Sequence, residues 1–336
     1  MILGFNKKFF FLIILFSFSC NKNSDKILVN NIGYTQGTTY NIKYFSENVD
    51  FQKEIDSILN IIDLSMSHYI DSSLVSGFNK AEEYFVINHH FRNIYNQSNY
   101  ISNITFGSFD CTIYPLIDFW GFLKKNKDSL EQINYVFIDS LLQYVNYKYV
   151  WLEGDSILFK KHSGVKLDFN GIAQGYTVDV VCDFLESKNI FDYLVEIGGE
   201  VRCNNKYINK AWKIGIEKPI KQRQFNNFEN IVILDNMSLA TSGNYRKFNF
   251  FNGLKISHHI SPFSGMPVSN KILSVSVLSE KCSFADAISS AFMVMGIDSI
   301  RSMSVKYDIE YFLIYENNFG DTISEFSDGF KNRLIF

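Results

Sequence analysis

Apolar positions along this chain switch between two periods. Gly37 to Tyr44 alternates as a half-buried strand does, and Phe51 to Met66 then carries Ile55, Ile58, Leu59, Ile62 and Met66 at helical spacing. The spacing predicts a helix there, a loop up to Asn79 and another helix over His89 to Ile101. Gly107 to Gly121 follows as an irregular, aromatic-rich stretch. From Leu167 a Gly-flanked loop leads into a helix ending near Lys188, whose Val178, Val181, Cys182 and Leu185 share one face. Tyr193 to Ile197, Trp212 to Ile216, Ile231 to Ala240, Lys255 to Ile260 and Ile272 to Leu278 read as strands. In the last, Leu273, Val275 and Val277 are expected to face inward, with Ser274 and Ser276 outward. Ser283 to Met295 is expected as a helix with Ser283 as its N-cap and Gly296 placed to end it. No repeat of fixed period and no Ser/Gly/Pro linker divides the chain. Strands and helices that do not alternate strictly argue for one α+β domain rather than a doubly wound sheet.

Composition narrows the class without changing that picture. Of 336 residues, 46% are hydrophobic and 20% charged, and the 33 Phe, 19 Tyr and 3 Trp supply far more apolar surface than a disordered chain carries. Lys+Arg 32 against Asp+Glu 35 leaves a net charge of -3, and no basic run tracks a phosphate backbone, so nucleic acid is not an expected partner.

The first residues carry an address. Lys7 and Lys8 precede an apolar run from Phe9 to Phe16, and Ser17-Phe18-Ser19-Cys20 closes the segment. That run is too short for a membrane span, which needs about 20 residues, and suits the core of a signal peptide. The closing Cys resembles a bacterial lipoprotein signal, cut before Cys20 and lipidated there, although Phe18 and Ser19 stand where small residues are commoner. An ordinary secretory signal with an incidental Cys is the alternative. The expected organisation is a signal over 1–19, a polar tether over 20–30 and one domain over 31–336. The chain would be a lipid-anchored membrane protein of the cell envelope, facing the periplasm. Cys111, Cys182, Cys203 and Cys282 form no C-x-x-C pair, so buried free thiols are expected, with one disulfide left open.

Four segments combine glycines, small hydroxyl residues and single carboxylates. In Leu167 to Tyr176, Gly171 and Gly175 at a helix start would let backbone N–H groups approach a phosphate, or form an ordinary strand-to-helix turn. In Ser283 to Ser290, Asp286 and Ser290 lie one turn apart on one helix face. Such a pair could hold a hard cation through oxygens or form a solvated polar stripe. His258 and His259 precede a Pro/Gly turn; on a strand they point to opposite faces, so one functional and one incidental His is expected. Leu239 to Tyr245 suits either ligand contact or a turn.

In this order the segments resemble the ApbE family, the FAD:protein FMN transferases, from Gly37 through Gly296. The opening G-T-x-Y strand matches Gly37-Thr38-Thr39-Tyr40. The G-x-F-D-x-T-x-x-P-L-x-x-x-W-G-F pattern matches Gly107 through Phe122, and L-D-x-x-G-I-A-K-G-Y-x-V-D matches Leu167 through Asp179 with one change. Ile197 to Arg202, Ala240 to Tyr245, His258 to Pro267 and Ala285 to Ala291 match four further family segments.

The resemblance implies a single T-fold-like domain with a mixed, largely antiparallel sheet and packed helices. It implies Mg²⁺-dependent transfer of the FMN moiety of FAD to a Thr or Ser hydroxyl of an acceptor protein, such as a redox-complex subunit, releasing AMP. By motif, Gly171 (through its carbonyl), Asp286 and Ser290 would hold the metal. Gln36, Tyr69, Ser108, Phe109, Asp110, Asp168, Gln174 and Ile260 would contact FAD, and His258 would be the general base. Three departures stand out. Gln174 replaces the family's Lys, removing a cation beside the pyrophosphate while keeping a donor. Ser261 replaces an Asp, and His259 an aliphatic residue. A hydrolase giving FMN and AMP, and a non-catalytic FAD-binding lipoprotein, are the two alternatives.

Overall fold

A computed structural model describes residues 26–123, 134–207, 211–219, 228–244, 248–251 and 254–335. The expected signal over 1–19, Cys20 and Tyr245 lie outside the described residues. In chain order the elements are β1 (Ile27–Thr35), β2 (Thr38–Ser46), α1 (Gln52–Met66), α2 (Leu74–Lys80), β3 (Tyr84–Val86), α3 (His89–Ile104), α4 (Tyr114–Phe119) and α5 (Tyr135–Leu142). There follow β4 (Val150–Glu153), β5 (Ile157–Lys160), α6 (Ala173–Ser187), β6 (Asp192–Ile197), β7 (Glu200–Asn205), β8 (Trp212–Glu217), β9 (Phe228–Leu234) and β10 (Met237–Gly243). The chain continues through β11 (Phe248–Phe251), β12 (Leu254–Ser257), β13 (Ile272–Ser279), α7 (Cys282–Met295), α8 (Ile297–Tyr307), β14 (Glu310–Glu316), β15 (Thr322–Phe326), α9 (Asp328–Lys331) and β16 (Leu334–Ile335).

Eight strands form one sheet in the order β1-β2-β6-β7-β10-β13-β14-β15, with every neighbour antiparallel. Local chemistry builds its hairpins. Thr35 pairs with Thr38 across Gln36 and Gly37, whose φ values of 50° and 73° give the turn twist that matches paired strands. Gly198 and Gly199, at 67° and 110°, do the same between β6 and β7.

Alternation along the strands then divides the core. Tyr193, Val195 and Ile197 of β6 pack with Ile55 and Leu59 of α1 and with Val178, Val181 and Leu185 of α6. Leu194, between them, faces the other way into a cluster with Ile216, Val232 and Leu234 of the three-stranded sheet β16-β9-β8. A third cluster joins α3, α7 and β13, and a fourth gathers Leu116, Trp120, Ile138 and Ile260. Each Phe or Leu so buried stabilises by roughly 1.5–3 kcal/mol.

The α+β class and the antiparallel sheet agree with the sequence reading; several local expectations do not. Ser274 and Ser276 are buried at 2% and 1% exposure rather than facing outward. Strand β13 is central in the sheet, where both faces are covered and strict alternation loses its meaning; Ser276 Oγ meets Thr241 Oγ1 at 2.8 Å. The strand expected over Ile231 to Ala240 is two strands, broken at Asp235-Asn236, where Asn236 takes φ 46°. The segment up to Asn79 holds α2, capped by Ser73 Oγ accepting from Ser76 N–H. Ser283 does not cap α7, which starts one residue earlier. The strand expected over Lys255 to Ile260 ends at Ser257. Pairing of Ile27 with Ser46 also carries the sheet into the stretch expected as tether over 20–30.

Candidate active site

Helices α6 and α7 bring the proposed metal ligands together. Gly175, in the first turn of α6, donates its N–H to Asp286 Oδ2 of α7 at 3.0 Å. The approach is close because Gly175 lacks a side chain: a Cβ there would stand 2.5 Å from the Cys282 carbonyl oxygen. Just upstream, a Cβ on Gly171 would stand 3.3 Å from Ser290 Oγ and 3.2 Å from the Phe109 ring. Gly171 and Ser290, more than a hundred positions apart in sequence, therefore meet, with Asp286 one turn before Ser290 on α7. Asp286 is buried at 6% exposure, and Ser242 Oγ reaches Ser290 Oγ at 3.3 Å and Ser289 Oγ at 2.8 Å. One carboxylate, one hydroxyl and a carbonyl are hard oxygen donors that fit Mg²⁺ or Ca²⁺ and suit softer metals poorly. Among the described residues no group of three His, Cys, Asp or Glu offers a different cage.

Asp179, one helical turn beyond Gly175, anchors the start of α7. Its Oδ1 accepts from Cys282 N–H at 3.0 Å, and its Oδ2 from Ser283 N–H at 2.9 Å and Ser283 Oγ at 2.7 Å. A carboxylate from a neighbouring helix thus satisfies the orphan donors that a local cap would meet. Arg202 holds that carboxylate at 3.0 Å and also reaches Asp183 and Glu186.

The other sequence-derived residues surround the loop before α6. Asn79 clamps Leu167 through both amide ends, at 2.9 and 2.7 Å, as a strand neighbour would. That fixes Asp168, buried at 6% exposure, whose Oδ1 accepts from Asn170 N–H at 2.7 Å. Tyr69 is 66% exposed; burial of its hydroxyl and the nearby Asp168 charge raise its pKa. Ser108, Phe109 and Asp110 are buried. Asp110 accepts from Thr112 N–H, Thr112 Oγ1 and Tyr147 N–H, and burial pushes its carboxyl up to about 6. Gln36, at the β1–β2 turn, donates to Thr177 Oγ1 at 2.6 Å while its Oε1 is buried without a hydrogen-bond partner among the described residues. Gln174 Nε2 lies 2.7 Å from where a Cβ on Gly198 would stand, so its amide rests against the β6–β7 turn.

His258 follows β12, half-buried, with its ring 4.1 Å from that of His259 and 6.4 Å from that of Phe122. Its loop is sewn to the 107–122 segment: Trp120 Nε1 donates to Gly265 carbonyl at 2.7 Å, and Ile260 is buried beside Leu116 and Trp120. A cavity of about 410 Å³ between α3, α6 and the start of α7 contains none of the sequence-derived site residues. Its His90 bonds Tyr176, and burial lowers the His90 pKa to about 4. Sequence reasoning missed Asn79, Thr177 and the particular roles of Ser242 and Asp179. Ser242 and Asp179 sat at marked motif positions; Asn79 and Thr177 act through contacts that no local spacing announces.

Comparison with solved structures defines the class. The fold matches the flavin transferase ApbE from Vibrio cholerae with a TM-score of 0.82 and 30% identity, covering 92% of this chain and 100% of that one. The apo form of the Pseudomonas stutzeri flavinyl transferase ApbE matches with a TM-score of 0.81 and 28% identity, covering 92% and 97%. Sequence makes the assignment particular. The ApbE family model matches residues 36–313. The FAD:protein FMN transferase of Vibrio cholerae serotype O1 is 32% identical, over 93% of this chain and 91% of its own length. That of Haemophilus influenzae is 30% identical, over 93% of each. The chain belongs to the ApbE family.

Proposed function

We propose that this chain is an FAD:protein FMN transferase that uses Mg²⁺ to pass FMN from FAD to a Thr or Ser hydroxyl of an acceptor protein, with AMP leaving. The convergence of Gly171, Asp286 and Ser290 beside the Gly-bounded start of α6, in a chain 32% identical to a named FAD:protein FMN transferase, carries the reading. Those three groups would hold the cation, which when bound supplies electrophilic assistance to the pyrophosphate. His258 would take the proton from the acceptor hydroxyl as its oxygen bonds to the FMN phosphorus and the bond to AMP breaks. Tyr69 offers an aromatic face to a ring of FAD, and Gln36, Ser108, Phe109, Asp110, Asp168 and Ile260 shape the pocket. Gln174 would serve as a neutral donor near the pyrophosphate, leaving the metal to carry more of the positive charge.

Incubation with FAD, Mg²⁺ and an acceptor carrying a flavinylation site tests this through in-gel flavin fluorescence and AMP release. A fluorescent acceptor is expected. AMP and FMN without it would make the protein a hydrolase, and bound FAD without turnover a flavin carrier. Asp286→Ala should abolish Mg²⁺-dependent turnover and weaken Mn²⁺ binding; wild-type Mn²⁺ affinity in that variant would overturn the metal assignment. His258→Ala should slow transfer by about 10²–10⁴-fold while FAD still binds.

The same reading has the protein held at the cell envelope by a lipid on Cys20. Among the described residues no helix is long and apolar enough to cross a membrane. Cys20→Ser should abolish incorporation of labelled fatty acid into the protein, and undiminished labelling would remove the anchor.

A further inference from the structure

His68 follows α1, and its side chain is 3% exposed. Both ring nitrogens are buried without a hydrogen-bond partner among the described residues. The carboxylate nearest to it, Asp168 Oδ2, stands 4.0 Å from Nδ1, beyond hydrogen-bond reach. That carboxylate already serves Asn170, through its backbone N–H at 2.7 Å and its amide nitrogen at 3.4 Å. The imidazole is held in place by aromatic neighbours: the Tyr69 ring lies 4.2 Å away, tilted by 45°, and the Tyr114 ring 5.7 Å away, edge-on.

A buried polar group without water or a protein partner costs roughly 1–3 kcal/mol. Native folds keep few such groups, and an orphan beside a binding region is completed by something the protein alone does not contain. The surroundings say what kind of thing. Tyr69 presents an exposed aromatic face next to the imidazole, and the Asp168 carboxylate lies 4.0 Å from Nδ1. A neutral imidazole offers one N–H donor and one nitrogen acceptor. A phosphate offers acceptor oxygens and would leave one nitrogen unmet, whereas the edge of a flavin or adenine ring alternates donors and acceptors.

We propose that His68 is a substrate-binding residue whose imidazole hydrogen-bonds the heteroaromatic edge of a dinucleotide ring resting on Tyr69. The inference rests on the FAD reading above and adds a contact that the family motifs do not assign. His68→Leu removes both nitrogens at similar size, and His68→Gln restores a donor and an acceptor.

Titration of the wild type and both variants with FAD, FMN and AMP, followed by flavin fluorescence and calorimetry, tests it. His68→Leu should weaken FAD binding about tenfold or more while the ligand-free melting temperature holds or rises, because an unsatisfied group has left the core. His68→Gln should recover part of the affinity. Loss carried by FMN assigns the contact to the flavin, and loss carried by AMP assigns it to adenine. FAD binding by His68→Leu within twofold of wild type overturns the proposal. Should that variant fail to fold, the ring-nitrogen NMR signals of His68 in the wild type decide: they shift on FAD saturation, or the proposal falls. If the wild type itself does not bind FAD, the transferase reading fails instead.

Discussion

At the scale of single residues, buried polar groups carry the site's energetics, and Asp110 makes this measurable. Its carboxyl is pushed up to about 6 by burial, against hydrogen bonds from Thr112 and Tyr147 that pull the other way. A raised folded value means that the group favours the fold below its unfolded pKa near 3.8, and that this contribution is lost as pH rises through about 6. Asp110→Asn cannot ionise, so its stability deficit relative to wild type should shrink between pH 4 and pH 7, by up to about 3 kcal/mol. Urea unfolding of both proteins across that range gives the answer; a constant deficit would show that Asp110 does not titrate within it. Asp110 was legible as a candidate because it sits in an ordered motif. His68 and Asn79 were not, because their roles depend on which buried atoms lack or find partners, which sequence spacing does not encode.

At the scale of elements, helix α6 acts as the template for α7. Gly175 and Asp179 are one turn apart on α6, and between them they bond the first turn of α7 and the Asp286 carboxylate. Asp179→Ala would leave Arg202 with Asp183 and Glu186 alone and the α7 N–H groups without their acceptor, a loss of about 1–3 kcal/mol for each buried donor left unmet. Cation affinity at Asp286 and Ser290 should fall with it. Asp183→Asn, on an exposed carboxylate of the same network, should change stability by no more than about 1 kcal/mol. Thermal melts with and without Mn²⁺ separate the two, and equal effects would remove the template role. Both helices were legible from their apolar period, but the cap was misplaced at Ser283. Local rules look for caps within the chain segment, and here a second helix supplies the carboxylate. The missed α2 has the same origin in reverse: seven residues carry too few apolar positions to show a period.

At the scale of the whole molecule, the order of the eight-stranded sheet was not legible, because β7, β10, β13 and β14 become neighbours only through long-range pairing. Four thiols can report whether that assembly folds as one unit. Cys111 lies in the cluster around α3 and α7, Cys182 and Cys282 lie between α6 and the sheet, and Cys203 lies under the three-stranded sheet. All four are free and buried, which settles against a disulfide among them. Burial raises every one of their pKa values, Cys203 to about 12, so they are poor nucleophiles in the native state. In a Cys20→Ser protein, a thiol reagent should therefore react negligibly before unfolding and with four groups per chain after it. Long-range pairing within the eight-stranded sheet, to which each of the clusters holding the four thiols contributes residues, argues for a single transition. The four thiols should become reactive at one urea midpoint, coincident with the loss of far-UV circular dichroism. Earlier exposure of Cys203 alone would mean that β8, β9 and β16 form a separately unfolding layer, and that the part of the molecule holding α6 and α7 is stable without it.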